Sequence, residues 1–350
     1  MKRDETKGRG ATLHIEGRFE SRVRESFEDG WSRDELPPLK TTVTVEKAKS
    51  VIQHHDSPDL PFSRSLNAYR GCEHGCIYCY ARPSHAYLDL SPGLDFETKL
   101  FAKPNAPELL RQELGKQNYE CETLAMGTNT DPYQPIEWEW KITRQILELL
   151  VECSHPVSIV TKSALIERDI DLLAILAGQN LVQVYISVTT LDASLARKME
   201  PRASSPKRRL EAVRRLNEAK IPCGVMVAPV VPFLTDSELE SILHAAHDAG
   251  AETAGYTLLR LPFELKALFS DWLETHYPLK ADHVMGRLRE MREGRENDPD
   301  FGTRMRGTGL FADLLEKRFR IASKRLGFNR QPFFLDITRF RSPSAQMKLF

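Results

Sequence analysis

Cys72, Cys76 and Cys79 fall within eight residues, in the stretch RGCEHGCIYCYARP, while the rest of the chain holds only three other cysteines. Thiolates spaced C-x3-C-x2-C on one loop can wrap a compact metal centre, and thiolate is the ligand that iron–sulfur clusters prefer. Structural zinc is the competing chemistry. It requires a fourth protein ligand, for which His74 or His85 is at hand. A four-iron four-sulfur cubane held by three cysteines instead leaves one iron open to an exogenous ligand. Six cysteines in 350 residues are too few for a disulfide scaffold, and a reducing compartment keeps them as thiols available for ligation.

The elements that must position this loop are readable from hydrophobic periodicity. Strand candidates are residues 65–69, 123–128, 157–163, 182–190, 223–231 and 254–261, each a short run rich in β-branched or apolar residues. Amphipathic stretches separate them. In 137–153, Trp138, Ile142, Ile146, Leu149 and Cys153 recur at helical spacing, and in 205–220 Leu210, Val213, Leu216 and Ala219 do nearly the same. Asp236 stands where a cap would open the helix SELESILHAAHDAG, and Gly250 where it would close. Six strands separated by helices predict a parallel α/β sheet, because parallel neighbours need helical crossovers. An open doubly wound sheet and a partly closed barrel both satisfy this, and both place chemistry at the carboxyl ends of the strands. The cysteine loop follows the first strand at that end.

Tyr78 immediately precedes the last cysteine, and with it the motif resembles the signature of the radical S-adenosylmethionine (radical SAM) superfamily. The stretches GCIYCYA, TKSALIERDIDLL, VYISVTTLD, EPRASSPKRRLEAVRRL and CGVMVAPVVP further resemble the spore photoproduct lyase-related, DNA repair photolyase-like branch, over about 65–261. The resemblance implies a partial (β/α)6 barrel with a [4Fe–4S] cluster and S-adenosylmethionine (AdoMet). The open iron binds the amino and carboxylate groups of AdoMet, and the reduced cluster cleaves it to methionine and a 5′-deoxyadenosyl radical, with the electron coming from an external one-electron reductant. By the same resemblance Lys162 and Ser187 would contact carboxylate and ribose, Ala228 would admit the adenine, Tyr78 would pack near it, and Gly127, Asn129 and Asp131 would receive the methionyl ammonium. Bland roles compete at each position: a solvated strand-end lysine, a backbone-satisfied serine, a packed tyrosine, an Asx turn before Pro132.

The chain departs from this pattern at one position. Spore photoproduct lyases return a hydrogen atom to product from a cysteine just after the second strand, and the matching residue here is Thr128, whose O–H bond is far too strong for that task. Cys121, Cys153 and Cys223 fall at the wrong ends of their elements to substitute. Tyr133, Tyr185 and Tyr256 are candidate radical relays.

The balance of 41% apolar and 28% charged residues is that of a globular protein, and neither a signal peptide core nor an apolar run of about 18 residues is present. A cytoplasmic protein without membrane contact is expected. Boundaries are expected at 1–60 for a partly disordered N-terminal extension, 61–265 for the barrel, 266–341 for a helical basic C-terminal region and 342–350 for a flexible tail. From Arg304 onward eleven Lys or Arg stand against Asp313, Glu316 and Asp336, an excess of +8 in a chain of net charge zero. Such a tail points to a polyanion, with DNA as the expected partner. Lys207, Arg208, Arg209, Arg318, Arg320, Lys324 and Arg325 are candidate phosphate contacts. The terminal QMKLF resembles the pentapeptide by which bacterial proteins dock on the replication sliding clamp, with Gln346 at a pocket rim and Leu349 and Phe350 filling it. The expected function is radical chemistry on a damaged or modified DNA base, lyase-like. Modification of RNA or protein, and a non-enzymatic metal-containing module that binds the clamp or nucleic acid, are the competing readings.

Overall fold

The computed structural model describes residues 8–20, 39–331 and 333–343. Ten strands occur among them: β1 (Thr42–Val45), β2 (Ile52–His54), β3 (Arg64–Leu66), β4 (Tyr69–Arg70), β5 (Lys99–Ala102), β6 (Leu124–Met126), β7 (Val157–Thr161), β8 (Val182–Ser187), β9 (Cys223–Val230) and β10 (Thr253–Leu258). The large sheet runs β10-β9-β8-β7-β6-β3-β2, parallel throughout except for the antiparallel β2–β3 pair. Its six parallel strands therefore stand side by side in the order in which the chain makes them. A doubly wound sheet reverses strand order at a switch point; this one never does, so the fold is the partial (β/α)6 barrel, with helices following the strands.

Apolar β-branched residues fill the strands because parallel strands are covered on both faces. Val182, Val184, Ile186, Val225, Val227 and Val230 are fully buried. Helix boundaries follow local chemistry. Ser205 accepts from the Arg208 amide at 3.4 Å and Pro206 opens the helix Pro206–Glu218. The expected helix 137–153 is two helices, Glu137–Trp140 and Ile142–Glu152, broken at Lys141, whose φ is 52°. The buried Glu137 carboxylate explains the break, since it accepts from the amides of Thr143 (3.0 Å) and Arg144 (3.4 Å) at the start of the second helix. Trp138 consequently faces solvent rather than the core. Asp236 does not cap: it lies inside a 3-10 turn, Asp236–Glu238, that precedes the helix Leu239–Asp248. Gly250 ends that helix with φ +95°, as its position predicts.

The first β/α unit is also shorter than its sequence pattern. β3 stops at Leu66, and Tyr69–Arg70 leaves the barrel to pair with β5 in a small sheet ordered β1-β5-β4. After β10 the chain forms the helices Leu265–His276, Pro278–Glu290 and Leu310–Leu326. The last packs against Leu239–Asp248. Among the described residues no helix is long and apolar enough to cross a membrane.

Candidate active site

A cleft of about 280 Å³ opens at the carboxyl ends of the parallel strands and is lined by Cys72, Cys76 and Cys79 on one side. Their loop is held from several directions. The Cys72 amide donates to Phe96 O at 3.0 Å and the Ile77 amide to Met199 O at 3.0 Å. Beneath the loop lies Arg82, wholly buried. Its Nε donates to Cys76 O at 2.8 Å, one Nη to Gly75 O at 3.0 Å, and it forms an ion pair with the equally buried Glu97. The other Nη group donates to Pro92 O and Gly93 O, so the buried guanidinium is satisfied on all sides. Glu97 in turn accepts the amides of Gly10 (2.9 Å) and Ala11 (2.8 Å), fastening the N-terminal segment over the loop. A side chain at Gly10 would collide with Gly75 O, 1.8 Å from its Cβ.

The three thiols fit an iron–sulfur cluster by their chemistry. Burial raises the pKa of each, and the carboxylate of Asp131 raises Cys72 further, that of Glu200 Cys76. Such thiols become thiolates only against a strong positive charge, as an iron centre provides. All three line one cleft, as holding a shared cluster requires. The two histidines considered for zinc have other partners: His74 Nδ1 faces Asp131 Oδ2 at 3.3 Å, and His85 Nε2 lies 3.0 Å from Lys99 O, off the cleft.

Each expected AdoMet-contacting residue lines the same cleft: Tyr78, Gly127, Asn129, Asp131, Lys162, Ser187 and Ala228. Lys162 Nζ donates to Ser187 Oγ at 2.9 Å and stands 5.7 Å from the centre of the Tyr78 ring. Burial lowers the Lys162 pKa, with Cys76 pulling the other way. Ser187 Oγ donates to Ala228 O at 3.2 Å, so β7, β8 and β9 are stitched together at their ends. Tyr78 OH reaches Glu200, which also pairs with Arg209. Asp131 is the hub of the β6 loop. It accepts from the Thr161 hydroxyl (2.6 Å) and the Lys162 amide (2.8 Å). Burial alone would raise its pKa, but His74 and these donors hold it down at about 2, so it is a carboxylate at any physiological pH. Gly127, at φ +92°, must be glycine, because a Cβ there would sit 2.0 Å from Val160 O.

The three relay candidates lie elsewhere. Tyr133, Tyr185 and Tyr256 are absent from the cleft wall: Tyr133 is fully buried, Tyr185 packs against Gly224 on β9, and Tyr256 lies against Phe319 with ring centres 4.7 Å apart and planes tilted by 42°, on the outer side of β10. Among the residues that the sequence did not single out, Tyr80 and Arg260 line it. Tyr80 donates to Thr128 O and lies under the Arg260 guanidinium, 5.5 Å from its ring centre. Tyr80 could have been found in YCYA as the aromatic after the last cysteine; Arg260 gives no such signal.

The model of the "Radical SAM superfamily" matches residues 66–246. The chain belongs to the radical SAM superfamily. Its cofactors are accordingly a [4Fe–4S] cluster and AdoMet, and it is an enzyme, which removes the reading of a non-catalytic module. It is 39% identical over 250 residues to an uncharacterized protein of Mycobacterium bovis, covering 71% of this chain and 72% of that one. It is 28% identical to an uncharacterized protein of Methanocaldococcus jannaschii, covering 68% and 85%. Among solved structures, a spore photoproduct lyase complexed with dinucleoside spore photoproduct shares the fold at TM-score 0.59 and 16% identity, covering 82% of this chain and 80% of that one. The branch expected from the strand-end stretches is thus matched at the level of fold.

Several of the expected phosphate contacts are otherwise engaged in this radical SAM protein. Arg209 is buried against Glu200, Arg208 pairs with Glu167 at 2.9 Å, and Arg318 with Glu240 at 2.6 Å. Gln346, Leu349 and Phe350 lie outside the described residues.

Proposed function

We propose that this radical SAM enzyme acts on a damaged or modified base in DNA, in a reaction related to photoproduct cleavage. The observation that carries the reading is the single cleft in which Cys72, Cys76 and Cys79 face Lys162, Ser187 and Asp131 at the carboxyl ends of one parallel sheet. When bound, the cluster and AdoMet supply a hydrogen-abstracting 5′-deoxyadenosyl radical. Cys72, Cys76 and Cys79 hold the cluster. Lys162 Nζ offers its charge to the AdoMet carboxylate, Ser187 positions the Lys162 ammonium, and Asp131 with the carbonyls of the Gly127 loop accepts the methionyl ammonium. Tyr78 closes the floor.

A nucleic acid is favoured over protein by the +8 excess from Arg304 onward, and DNA over RNA by the fold shared with lyases complexed with dinucleoside spore photoproduct. A base would have to leave the helix stack to reach the cleft. The hydrogen source is then Tyr80, whose phenol O–H is weak enough to give up a hydrogen atom and lies beside Thr128, where the lyases carry cysteine. An external reductant and a proton restore the phenol. Docking of QMKLF on a sliding clamp would raise the local concentration of a weak DNA binder.

The test is anaerobic reconstitution followed by reduction with AdoMet present. Release of 5′-deoxyadenosine, stimulated by lesion-bearing duplex DNA and absent in Cys76→Ala, is expected. Stimulation by RNA or a protein extract but not by DNA would replace the substrate class. A clamp pull-down with and without residues 346–350 tests the tail.

A further inference from the structure

A second concavity of the molecule, about 620 Å³, lies outside the barrel between β10 and the helix Leu310–Leu326. Arg306, Arg320, Lys324 and Arg330 line it, against the one acidic residue Glu316. All four cations are exposed, and none forms an ion pair among the described residues, in contrast to Arg318 on the same helix. Two hydroxyls on its wall, Tyr256 OH and Ser323 Oγ, are buried without a hydrogen-bond partner, and Ser323 is only 6% exposed. Buried polar atoms left unmatched in a wall of unneutralised cations are the complement of a ligand rich in negative oxygen.

The place of this groove says which ligand. β10 is the free edge of the large sheet, and the C-terminal chain seals it: Asn329 bonds both backbone groups of Ala254, at 3.1 and 2.9 Å, and the Leu258 amide donates to Met305 O at 3.0 Å. Alternate residues of β10 point to opposite sides, so Thr257 lines the cysteine cleft while Tyr256 lines the groove. Met305 and Arg306 divide in the same way. One strand and one dipeptide separate the two concavities. The two concavities therefore share the β10 edge.

We infer that Arg306, Arg320, Lys324 and Arg330 form a track for the DNA phosphodiester backbone next to the target nucleotide, with Ser323 and Tyr256 donating to phosphate oxygens. This rests on the DNA reading above. Contacts of this kind position without reading sequence, and each released counterion steepens the salt dependence of binding.

The test is fluorescence anisotropy of the full-length protein with a labelled DNA duplex between low and physiological salt. The double variants Arg320→Ala/Lys324→Ala and Arg306→Ala/Arg330→Ala are each expected to bind roughly tenfold more weakly. The slope of log affinity against log salt should shrink by about 0.9 for each phosphate left unneutralised by the substitution. The variant Arg320→Lys/Lys324→Arg keeps the charge and is expected to bind as wild type, and Lys116→Ala, an exposed cation outside the groove, likewise. Wild-type affinity and slope in both Ala double variants, with DNA still bound, would overturn the track and leave the DNA reading standing. Absence of DNA binding by the wild type would overturn both.

Discussion

The Tyr80 hydroxyl donates to the carbonyl oxygen of Thr128 on the wall of the cysteine cleft. A phenol thereby occupies the neighbourhood of a residue that cannot itself return a hydrogen atom. Because a phenolic proton exchanges with solvent, turnover of AdoMet in D2O without DNA should place deuterium in 5′-deoxyadenosine. Tyr80→Phe is expected to cut that enrichment several-fold while total release changes little, as read by mass spectrometry. Equal enrichment in the variant would remove Tyr80 from hydrogen transfer.

Lys162 and Ser187 should separate by magnitude. A hydrogen bond to a charged group contributes about 1.5–3 kcal/mol and a neutral one about 0.5–1.5. Lys162→Met is therefore expected to weaken AdoMet binding roughly ten- to hundredfold, and Ser187→Ala by no more than about tenfold. Titrating AdoMet into the reconstituted protein while following the cluster's electron paramagnetic resonance spectrum measures both. Unaltered affinity in Lys162→Met would place the carboxylate elsewhere.

Glu97→Ala would leave Arg82 charged and buried with one partner gone. Removing one member of a buried pair costs about 3–5 kcal/mol, so the denaturation midpoint should fall sharply. Arg82 also holds Gly75 O and Cys76 O. Iron retention during desalting is therefore expected to fall with stability, whereas an exposed control, Glu218→Ala, should change neither.

His155 predicts a pH dependence away from the site. It is buried, takes the Tyr119 hydroxyl on Nε2 at 2.7 Å, and lies with Nδ1 3.0 Å from Pro156 O. Burial lowers its pKa to about 4 from the ordinary 6.5. The unfolded chain thus binds the proton more readily, and the contribution of His155 to stability is complete above pH 6.5 and lost as pH falls toward 4. The slope is at most about 1.4 kcal/mol per pH unit. Thermal melts of the cluster-free protein should show this decline, and His155→Gln should flatten it. A melting profile of the variant parallel to wild type would contradict the assignment.

The architecture was largely legible because parallel strands buried on both faces announce themselves as apolar runs: all six barrel strands lie within or next to the segments read from sequence. What escaped was set by contacts between distant residues. The helix break at Lys141 depends on Glu137 receiving amides from the next helix, and periodicity carries no trace of it. β3 ends early because Tyr69 finds β5, some thirty residues later in the chain. The cleft residues carried by the motif segments were recognisable because chemistry at strand ends tolerates few residue types. Arg260 and Met305 were not, since they reach the cleft through the course of the chain after β10. Charge counting gives the +8 excess from Arg304 onward but cannot separate Arg318, paired with Glu240, from Arg320 two residues on.

The amide pair of Gly10 and Ala11 on Glu97 has a practical corollary. The family match starts at residue 66, yet part of the wall behind the cysteines is supplied from more than fifty residues upstream. A gene fragment trimmed to the matched span would lack the amides that Glu97 accepts, leaving the buried Arg82–Glu97 pair beneath the cysteine loop uncovered on that side. A chain that begins ahead of Gly10 is expected to keep its iron better than that fragment.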